Sequence, residues 1–166
     1  ADAALRRIER LVAERRLAVG PYYQQPDWQL PDGEALVRNL LIGTRDAGAL
    51  GGHHPVGWLL DNFGQVAQCV QIHAGFGIRG IFSWRGFDLL PDRLSTDLWW
   101  ESPDGSRLPL VYLLDSYRNA MRLFSYPAFR ERRLEAAAGR LSPFSTDGQV
   151  LLMNGYDQEM VPEHIE

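Results

Sequence analysis

The stretch from Pro55 to Arg85 reads PVGWLLDNFGQVAQCVQIHAGFGIRGIFSWR, and it contains the pattern that decides the fold. Pro55–Leu60 is an apolar run, which predicts a strand. Gln65–Ala74 has apolar side chains at helical spacing and ends in glycines, which predicts a helix. Gly80–Trp84 is a second apolar run and predicts the next strand. A strand, a helix and a strand in this order favour two parallel strands joined by a crossover helix.

The alternation continues on both sides of this unit. Helices are predicted at Ala1–Arg16, at a segment that Asp32 caps and that runs through Leu41, and at Ala128–Leu141. Further strands are predicted at Leu17–Tyr23, Leu98–Glu101, Leu108–Leu114 and Val150–Met153, with Pro103-Asp104-Gly105 as a hairpin turn between the middle two. Near-continuous apolar strands predict an α/β fold around a buried parallel sheet, either doubly wound or part of a barrel. A complete barrel usually needs about 250 residues, so a barrel here would be incomplete.

Composition excludes several kinds of chemistry. All 17 basic residues are arginine, 21 residues are acidic, and the net charge is -4. The absence of lysine excludes Schiff-base chemistry, a pyridoxal phosphate anchor and a P-loop lysine. A single cysteine excludes a disulfide within the chain and a thiolate zinc site. The mild acidity argues against nucleic acid as the main partner. No apolar run approaches the roughly 20 residues of a membrane helix, so no membrane partner is expected.

Polar residues follow the predicted strands in turn. They are Asp27, Asp61, Arg85, Asp115 and Asp157. The carboxyl ends of parallel strands converge on one rim, where the active sites of such folds lie. Several carboxylates and one arginine suit carboxylate chemistry on a neutral substrate, or the binding of a hard metal ion. The alternative is that each aspartate caps a helix or makes a local turn.

The histidines give a weaker signal. His53 and His54 are neighbours in an extended segment, so their side chains point to opposite faces and a loop role is favoured over metal ligation. The predicted strand starts next to His54 and ends next to Asp61. At roughly 3.3 Å per residue, about 20 Å separates the two histidines from Asp61. His73 lies on the apolar face of its predicted helix, near the C-terminus, and is expected to be a packed or capping histidine.

Tryptophans can form stacking surfaces for sugar rings, which present apolar faces to aromatic side chains. Trp28 lies beside Asp27 and is the candidate platform. Trp58 and Trp84 lie within predicted strands and are expected to be core residues.

Five segments in order resemble one enzyme family. They are Gly20–Asp27, Glu34–Gly43, Gly57–Gln65, Gln71–Gly77 together with Phe82–Gly86, and Leu151–Asp157. These segments resemble glycoside hydrolase family 38, the zinc-dependent retaining α-mannosidases, in its bacterial branch that includes mannosylglycerate-type hydrolases. The resemblance spans roughly residues 17 to 160.

The resemblance implies a fold and an activity. Residues 1–166 would be part of the family's catalytic domain, a parallel-stranded incomplete (β/α) barrel truncated at both ends. The activity implied is hydrolysis of terminal α-mannosyl linkages, in a bacterial cytoplasmic enzyme that can form oligomers. The substrate would be an oligosaccharide or a mannosylglycerate-like α-mannoside.

The resemblance also implies residue roles. Asp61 would be the catalytic nucleophile and a zinc ligand, and Asp157 the general acid/base. Phe63 would contact the sugar and Arg85 would orient the carboxylates. Asp27 and Tyr117 complete the implied substrate-contacting set, beside which Trp28 stands as the platform candidate.

Zinc is the cofactor that the resemblance implies, but most of its ligands are not found in the sequence. The family carries a His-x-Asp pair on an earlier strand and a further histidine on a later one, and neither matches here. The expectation is therefore that zinc belongs to a longer parent protein and that the isolated chain is metal-free and inactive, since one carboxylate does not make a zinc site.

Two other readings remain at this point. One is a non-catalytic or degenerate carbohydrate-binding fragment of the same fold. The other is a metal-dependent carbohydrate esterase, which would need a His-x-x-x-His ligand pair that the sequence lacks.

Overall fold

The computed structural model describes residues 2–87 and 94–160. The helices in this part of the chain are α1 (Asp2–Ala13), α2 (Gly33–Ala49), α3 (Cys69–Gly75) and α4 (Arg130–Leu141). The strands are β1 (Val56–Leu59), β2 (Gly80–Ser83), β3 (Asp97–Glu101) and β4 (Arg107–Tyr112). Short 3₁₀ turns at Pro127–Phe129 and Ser142–Phe144 flank α4. None of the described helices is both long and apolar enough to cross a membrane.

The four strands form one open sheet in the order β1-β2-β4-β3. β1 pairs in parallel with β2 and β2 in parallel with β4, whereas β3 pairs antiparallel with β4 as the second arm of the predicted hairpin. Leu59 lies opposite Ser83 in the first pair, so the residues that follow β1 and β2 leave the sheet side by side. The α/β class is confirmed. The barrel stays a prediction, because the described strands form an open sheet.

The core lies between the sheet and the helices α2 and α3. It combines Leu36 and Leu40 from α2, Leu59 from β1, Val70 from α3 and Ile81 from β2, all nearly or completely buried. Burial of each of these side chains contributes about 1.5–3 kcal/mol. The core therefore fixes the position of β1 and of the residues that follow it.

The start of α2 follows the predicted capping chemistry. The side chain of Asp32 accepts a hydrogen bond of 2.8 Å from the main-chain N–H of Ala35, as an N-cap residue does. Farther along, Gly43 packs against the main chain at Pro21–Tyr23, and a Cβ atom at Gly43 would lie 2.2 Å from the carbonyl carbon of Tyr22. Only glycine lets the helix approach this closely.

The strand predicted at Leu17–Tyr23 is wrong. The segment has no regular secondary structure, because Gly20 adopts a left-handed φ of +71° and Pro21 has no N–H to give to a ladder. Single main-chain bonds hold it instead: His54 N–H donates to the carbonyl of Val19 at 2.9 Å, and Tyr23 N–H to that of Asn39 at 3.2 Å.

The strand predicted at Val150–Met153 is also wrong. The residues have no regular secondary structure and make no strand pairing among the described residues. Their main-chain groups bond to residues 119 and 120 instead. The third predicted helix begins at Cys69 and not at Gln65.

Candidate active site at the strand ends

One cavity of about 510 Å³ lies beyond the end of β1. Two stretches that are far apart in sequence meet across it, residues 58–62 and residues 153–157. Its lining consists of Gln25, Asp27, Trp58, Leu60, Asp61, Asn62, Tyr117, Met153, Asn154, Gly155, Tyr156 and Asp157. Three of the four strand-end aspartates predicted to share a rim therefore line one cavity.

Asp61 is held at the end of β1 and paired with Arg85. Leu59 and Leu60 are buried and anchor the chain, whereas the Asp61 side chain is 53% exposed. The Arg85 Nε–H donates to Asp61 Oδ1. The parallel register of β1 and β2 produces this pairing, because it brings the two strand ends together.

Aromatic rings hold the Arg85 guanidinium in place. Its central carbon lies 4.2 Å from the centre of the Trp84 ring and 4.9 Å from the centre of the Phe63 ring. Guanidinium groups stack favourably on such rings. Arg85 therefore presents a fixed, permanently charged donor to Asp61, while Phe63 remains 59% exposed beside it.

Asp27 supports the loop that follows β1. Its Oδ1 accepts a 2.7 Å hydrogen bond from the main-chain N–H of Phe63. The side-chain amide of the buried Asn62 donates to the carbonyl of Pro26 at 2.5 Å and to Gln25 Oε1 at 3.2 Å. These bonds tie residues 25–27 to residues 62–63, so Asp27 both lines the cavity and orders the loop that carries Phe63.

Asp157 is paired with Tyr117 on the other side of the cavity. The Tyr117 hydroxyl donates to Asp157 Oδ2 at 2.6 Å. This hydrogen bond, followed by burial and by the charges of Asp61 and Asp157, raises the pKa of Tyr117 to about 12. Tyr117 therefore remains a protonated donor at neutral pH. Its ring packs on Trp84 at 5.1 Å and stacks on Tyr156 at 5.8 Å.

Asp115 does not join the other carboxylates. It pairs with Arg140 of α4 at 2.9 Å and does not line the cavity. It shares only the position after a strand with Asp61, which makes it a natural control.

The three tryptophan expectations require correction. Trp84, expected to be core, is only partly buried and packs against Arg85 and Tyr117. Trp28 is not an open sugar platform, because it is 1% exposed and stacks on His73 at 4.9 Å in the core. Trp58, expected to be core, is 37% exposed and lines the cavity. The signal that could have found Trp58 was the alternation of β1, since Gly57 and Leu59 on either side of it are buried.

His73 is a packed core residue, as predicted. It is completely buried, and burial lowers its pKa to about 4. Its Nε2 lies 2.6 Å from the Tyr22 hydroxyl and its Nδ1 lies 2.6 Å from the carbonyl of Cys69. The Tyr22 oxygen also accepts a 3.0 Å bond from the main-chain N–H of Trp58. A neutral ring with its proton on Nδ1 satisfies both contacts. The hydrogen bonds between Tyr22 and His73 and between Trp58 and Tyr22 therefore connect α3 to β1.

The described residues do not by themselves fit a zinc ion. Within residues 2–87 and 94–160, no group of three or more His, Cys, Asp and Glu side chains is placed to hold a metal. Asp61 is bonded to Arg85, and His53 lies in the loop before β1, where its Nδ1 contacts the carbonyl of His54 at 3.1 Å. Structural and catalytic zinc sites use three or four protein ligands, and this part of the chain supplies one candidate.

Comparison with known proteins gives a consistent family match. The model of the glycosyl hydrolases family 38 N-terminal domain matches residues 2–166. The chain is 30% identical to "Putative mannosylglycerate hydrolase" of Halalkalibacterium halodurans over 95% of its own length and 19% of that protein. It is 36% identical to human Alpha-mannosidase 2C1 over 54% of its length and 9% of that protein.

The fold has a counterpart of known structure. An alpha-mannosidase from Enterococcus faecalis superposes with a TM-score of 0.77 and 26% identity over 89% of the chain and 17% of that protein. The chain thus spans about a fifth or less of the length of these relatives.

Proposed function

The chain belongs to glycosyl hydrolase family 38, and we propose that it supplies the two catalytic carboxylates of a retaining α-mannosidase. Two of the matched relatives are alpha-mannosidases by name and a third is named for mannosylglycerate hydrolysis. One observation carries the proposal: Asp61 and Asp157 line the same cavity although 96 positions separate them in sequence. Glycoside hydrolysis generally uses such a pair of carboxyl groups, one on each side of the scissile bond.

The pairing of each carboxylate suits a different role. Arg85 binds Oδ1 of Asp61, and Oδ2 has no hydrogen-bond partner among the described residues. That free oxygen is available to attack an anomeric carbon. On Asp157, Tyr117 binds Oδ2 and leaves Oδ1 without a described partner, so Oδ1 can carry a transferable proton.

In the first step, Asp61 attacks the anomeric carbon of a bound mannoside. The bond between that carbon and the glycosidic oxygen breaks as Asp157 gives its proton to the oxygen. The products are an ester between Asp61 and the sugar, a free alcohol, and an ionised Asp157. Tyr117 donates to Asp157 in both of its protonation states, because a pKa of about 12 keeps the phenol protonated.

In the second step, water replaces the enzyme at the same carbon. Asp157 takes a proton from the water as its oxygen attacks, and Asp61 leaves as a carboxylate. Two displacements restore the starting configuration. Arg85 stabilises Asp61 as it regains its negative charge, and the exposed rings of Trp58 and Phe63 offer apolar faces to the sugar.

Zinc remains part of the proposal only for a protein that brings further ligands to Asp61. The steps above use this chain's own residues. A bacterial cytoplasmic location and an oligomeric state of the parent protein likewise remain proposals.

A second candidate function is sugar binding without catalysis by a degenerate member of the family. The exposed aromatic rings around the cavity favour it, since they can stack on a sugar whether or not a bond is broken. It differs from the first in what the carboxylates do, so substitution of the carboxylates separates the two.

The test is hydrolysis of an aryl α-mannoside by the whole gene product that contains these residues. We expect Asp61→Asn to lower kcat at least about 10³-fold, as loss of a nucleophile does. Asp157→Ala should lose least with a dinitrophenyl leaving group, which needs no proton, and added azide should then yield α-mannosyl azide. Asp115→Asn is the matched control and should keep activity within about twofold, because exposed ion pairs contribute little.

Three outcomes would overturn the proposal. The first is full activity in Asp61→Asn, and the second is an equal loss in Asp115→Asn. The third is binding of mannose by the wild-type protein without hydrolysis of any α-mannoside, which would establish the binding function instead.

A further inference from the structure

Trp84 follows β2 directly and is fixed to the end of β1. Its main-chain N–H donates to the carbonyl of Leu59 at 3.3 Å, so it extends the hydrogen bonding between the two strands by one residue. Its side chain is partly buried and is not among the residues that line the cavity. Any part that Trp84 takes in the reaction therefore acts through the residues that it contacts.

The indole ring of Trp84 contacts the partners of both catalytic carboxylates. The guanidinium carbon of Arg85 lies 4.2 Å from the centre of the ring, and Arg85 is the residue bonded to Asp61. The ring of Tyr117 meets the indole at a centroid distance of 5.1 Å and an angle of 72°, and the Tyr117 hydroxyl is bonded to Asp157. One ring thus links the two carboxylates through their hydrogen-bonded partners.

The other aromatic neighbours of these partners each serve one of them. Phe63 lies 4.9 Å from the Arg85 guanidinium, and Tyr156 stacks on Tyr117 at 5.8 Å. Among residues 2–87 and 94–160, only Trp84 makes a ring contact to both partners. Both contacts are of a kind that an indole favours, a cation over its face and a second ring at a steep angle to it.

The proposed chemistry requires a constant distance between the two carboxylates. In each displacement Asp61 and Asp157 act at the same anomeric centre, one on the carbon and the other on the oxygen that leaves or attacks it. A misplacement of about 1 Å in such a centre can lower the rate about 10²-fold. A support that both partners share holds this distance more closely than two separate supports, because a shift of one partner is opposed by the other.

We propose that Trp84 is a positioning residue that sets the separation of the Arg85–Asp61 pair from the Tyr117–Asp157 pair; this inference rests on the proposed function. Its loss should impair turnover more than substrate binding, because the ring does not line the cavity.

The first test is hydrolysis of an aryl α-mannoside by the whole gene product with Trp84→Leu. We expect kcat to fall about 10- to 100-fold while KM changes less than about threefold. Trp84→Phe keeps an aromatic face for both partners and should restore kcat to within about fivefold of the wild-type value.

Trp99→Leu is the matched control. Trp99 on β3 also holds a guanidinium, that of Arg107 at 5.1 Å, but it is 65% exposed and lies outside the lining of the cavity. Its replacement should leave kcat within about twofold of the wild-type value, as exposed substitutions generally do.

A double-mutant cycle tests whether Trp84 acts through both partners. Tyr117→Phe removes the hydroxyl that binds Asp157, and Arg85→Gln removes the guanidinium that packs on the indole. We expect the cost of Trp84→Leu in kcat to be at least about threefold smaller in each of these backgrounds, because one group that Trp84 positions is already gone. Urea unfolding shows which variants are folded in the assay, and Trp84→Phe takes the place of Trp84→Leu in the cycle if the latter is not.

The outcomes separate this inference from the proposed function. Failure of the wild-type protein to hydrolyse any aryl α-mannoside would overturn the proposed function and this inference with it. Hydrolysis by the wild type would leave the function standing, and three results would then overturn the role of Trp84 alone. They are a kcat for Trp84→Leu within about twofold of wild type, an equal loss in Trp99→Leu, and a cost of Trp84→Leu that stays unchanged in either background.

Discussion

Asp61 and Asp157 line one cavity, but they are supported in different ways. Asp61 follows β1, whose main chain pairs with β2 and whose Leu59 is completely buried. Asp157 follows a segment, residues 150–156, without regular secondary structure. The first carboxylate is positioned by a sheet and a core, and the second by individual side chains.

Asn119 supplies much of the support on the Asp157 side. Its amide nitrogen donates to the carbonyl of Leu151 at 2.9 Å, and its oxygen accepts from the N–H of Met153 at 2.7 Å. The N–H of Ala120 adds a 3.0 Å bond to the carbonyl of Met153. One side chain thus takes the place of a neighbouring strand. The Asp61 side should therefore tolerate most changes outside its core, whereas the Asp157 side depends on single polar residues.

The largest expected effect comes from the packing beneath the Asp61 side. Gly43→Ala would place a Cβ 2.2 Å from the main chain of Tyr22, and backbone cannot move aside as a side chain can. We expect the free energy of unfolding to fall by about 3 kcal/mol or more. The measurement is urea unfolding.

Gly48→Ala is the matched control in the same helix. A Cβ there meets nothing within 4 Å, so alanine should stabilise the helix by up to about 1 kcal/mol. Equal effects of the two substitutions would show that the close approach of α2 to residues 21–23 does not support the fold.

The second effect is the pH dependence of stability that comes from the buried His73, which is hydrogen-bonded to Tyr22 beside β1. Burial lowers the pKa of His73 from 6.5 to about 4. As the pH falls below 6.5, His73 therefore takes up a proton in the unfolded chain, whereas in the folded protein it stays neutral until the pH approaches 4. The contribution of His73 to stability is complete above pH 6.5 and is lost progressively as the pH falls towards 4. Between pH 7 and pH 5 the expected loss is about 2 kcal/mol.

His73→Gln isolates this contribution. The variant is less stable at pH 7, because its hydrogen bonds to Tyr22 and Cys69 change, but its stability should vary less with pH from 7 to 5 than that of the wild type. An identical pH dependence in both proteins would show that His73 is not buried as a neutral ring.

The third effect is local to the Asp157 side. Asn119→Ala removes two hydrogen bonds to residues 151 and 153 and should lower the free energy of local opening there by about 1–2 kcal/mol. Amide hydrogen exchange should accelerate at Met153 and remain unchanged at Phe82 in β2. Equal acceleration at both amides would mean that the two sides unfold together and are not supported separately.

Local sequence signals were sufficient for much of the fold. The apolar run before Asp61, the cap at Asp32 and the turn at Pro103-Asp104-Gly105 are encoded by neighbouring residues, and each of them predicted its element. The runs at residues 17–23 and 150–153 carry the same apolar signal but make no ladder. Pairing depends on which strands lie alongside, and that information is not local.

The site residues fall into the same two groups: some were predictable from local motifs, and others depend on long-range packing. Asp61, Phe63 and Arg85 came from motif positions, and the structure brings them together through the register of two parallel strands. Trp28 and Trp58 were assigned to the wrong surroundings, because the face that a side chain occupies depends on what packs against it. The support that Asn119 gives to the Asp157 segment was invisible, since its partners lie more than 30 positions away.

The attack of Asp61 on the substrate can be tested by trapping the glycosyl-enzyme. A fluorinated mannosyl donor that forms the glycosyl-enzyme faster than it is hydrolysed should label Asp61, and tryptic mapping can read the label. Because the chain lacks lysine, trypsin cuts only after arginine and separates residues 17–38, which contain Asp27, from residues 46–79, which contain Asp61. We expect one sugar per protein, on the 46–79 peptide at Asp61. A label on Asp27 or Asp157, or turnover of the donor with inversion and no label, would contradict this expectation.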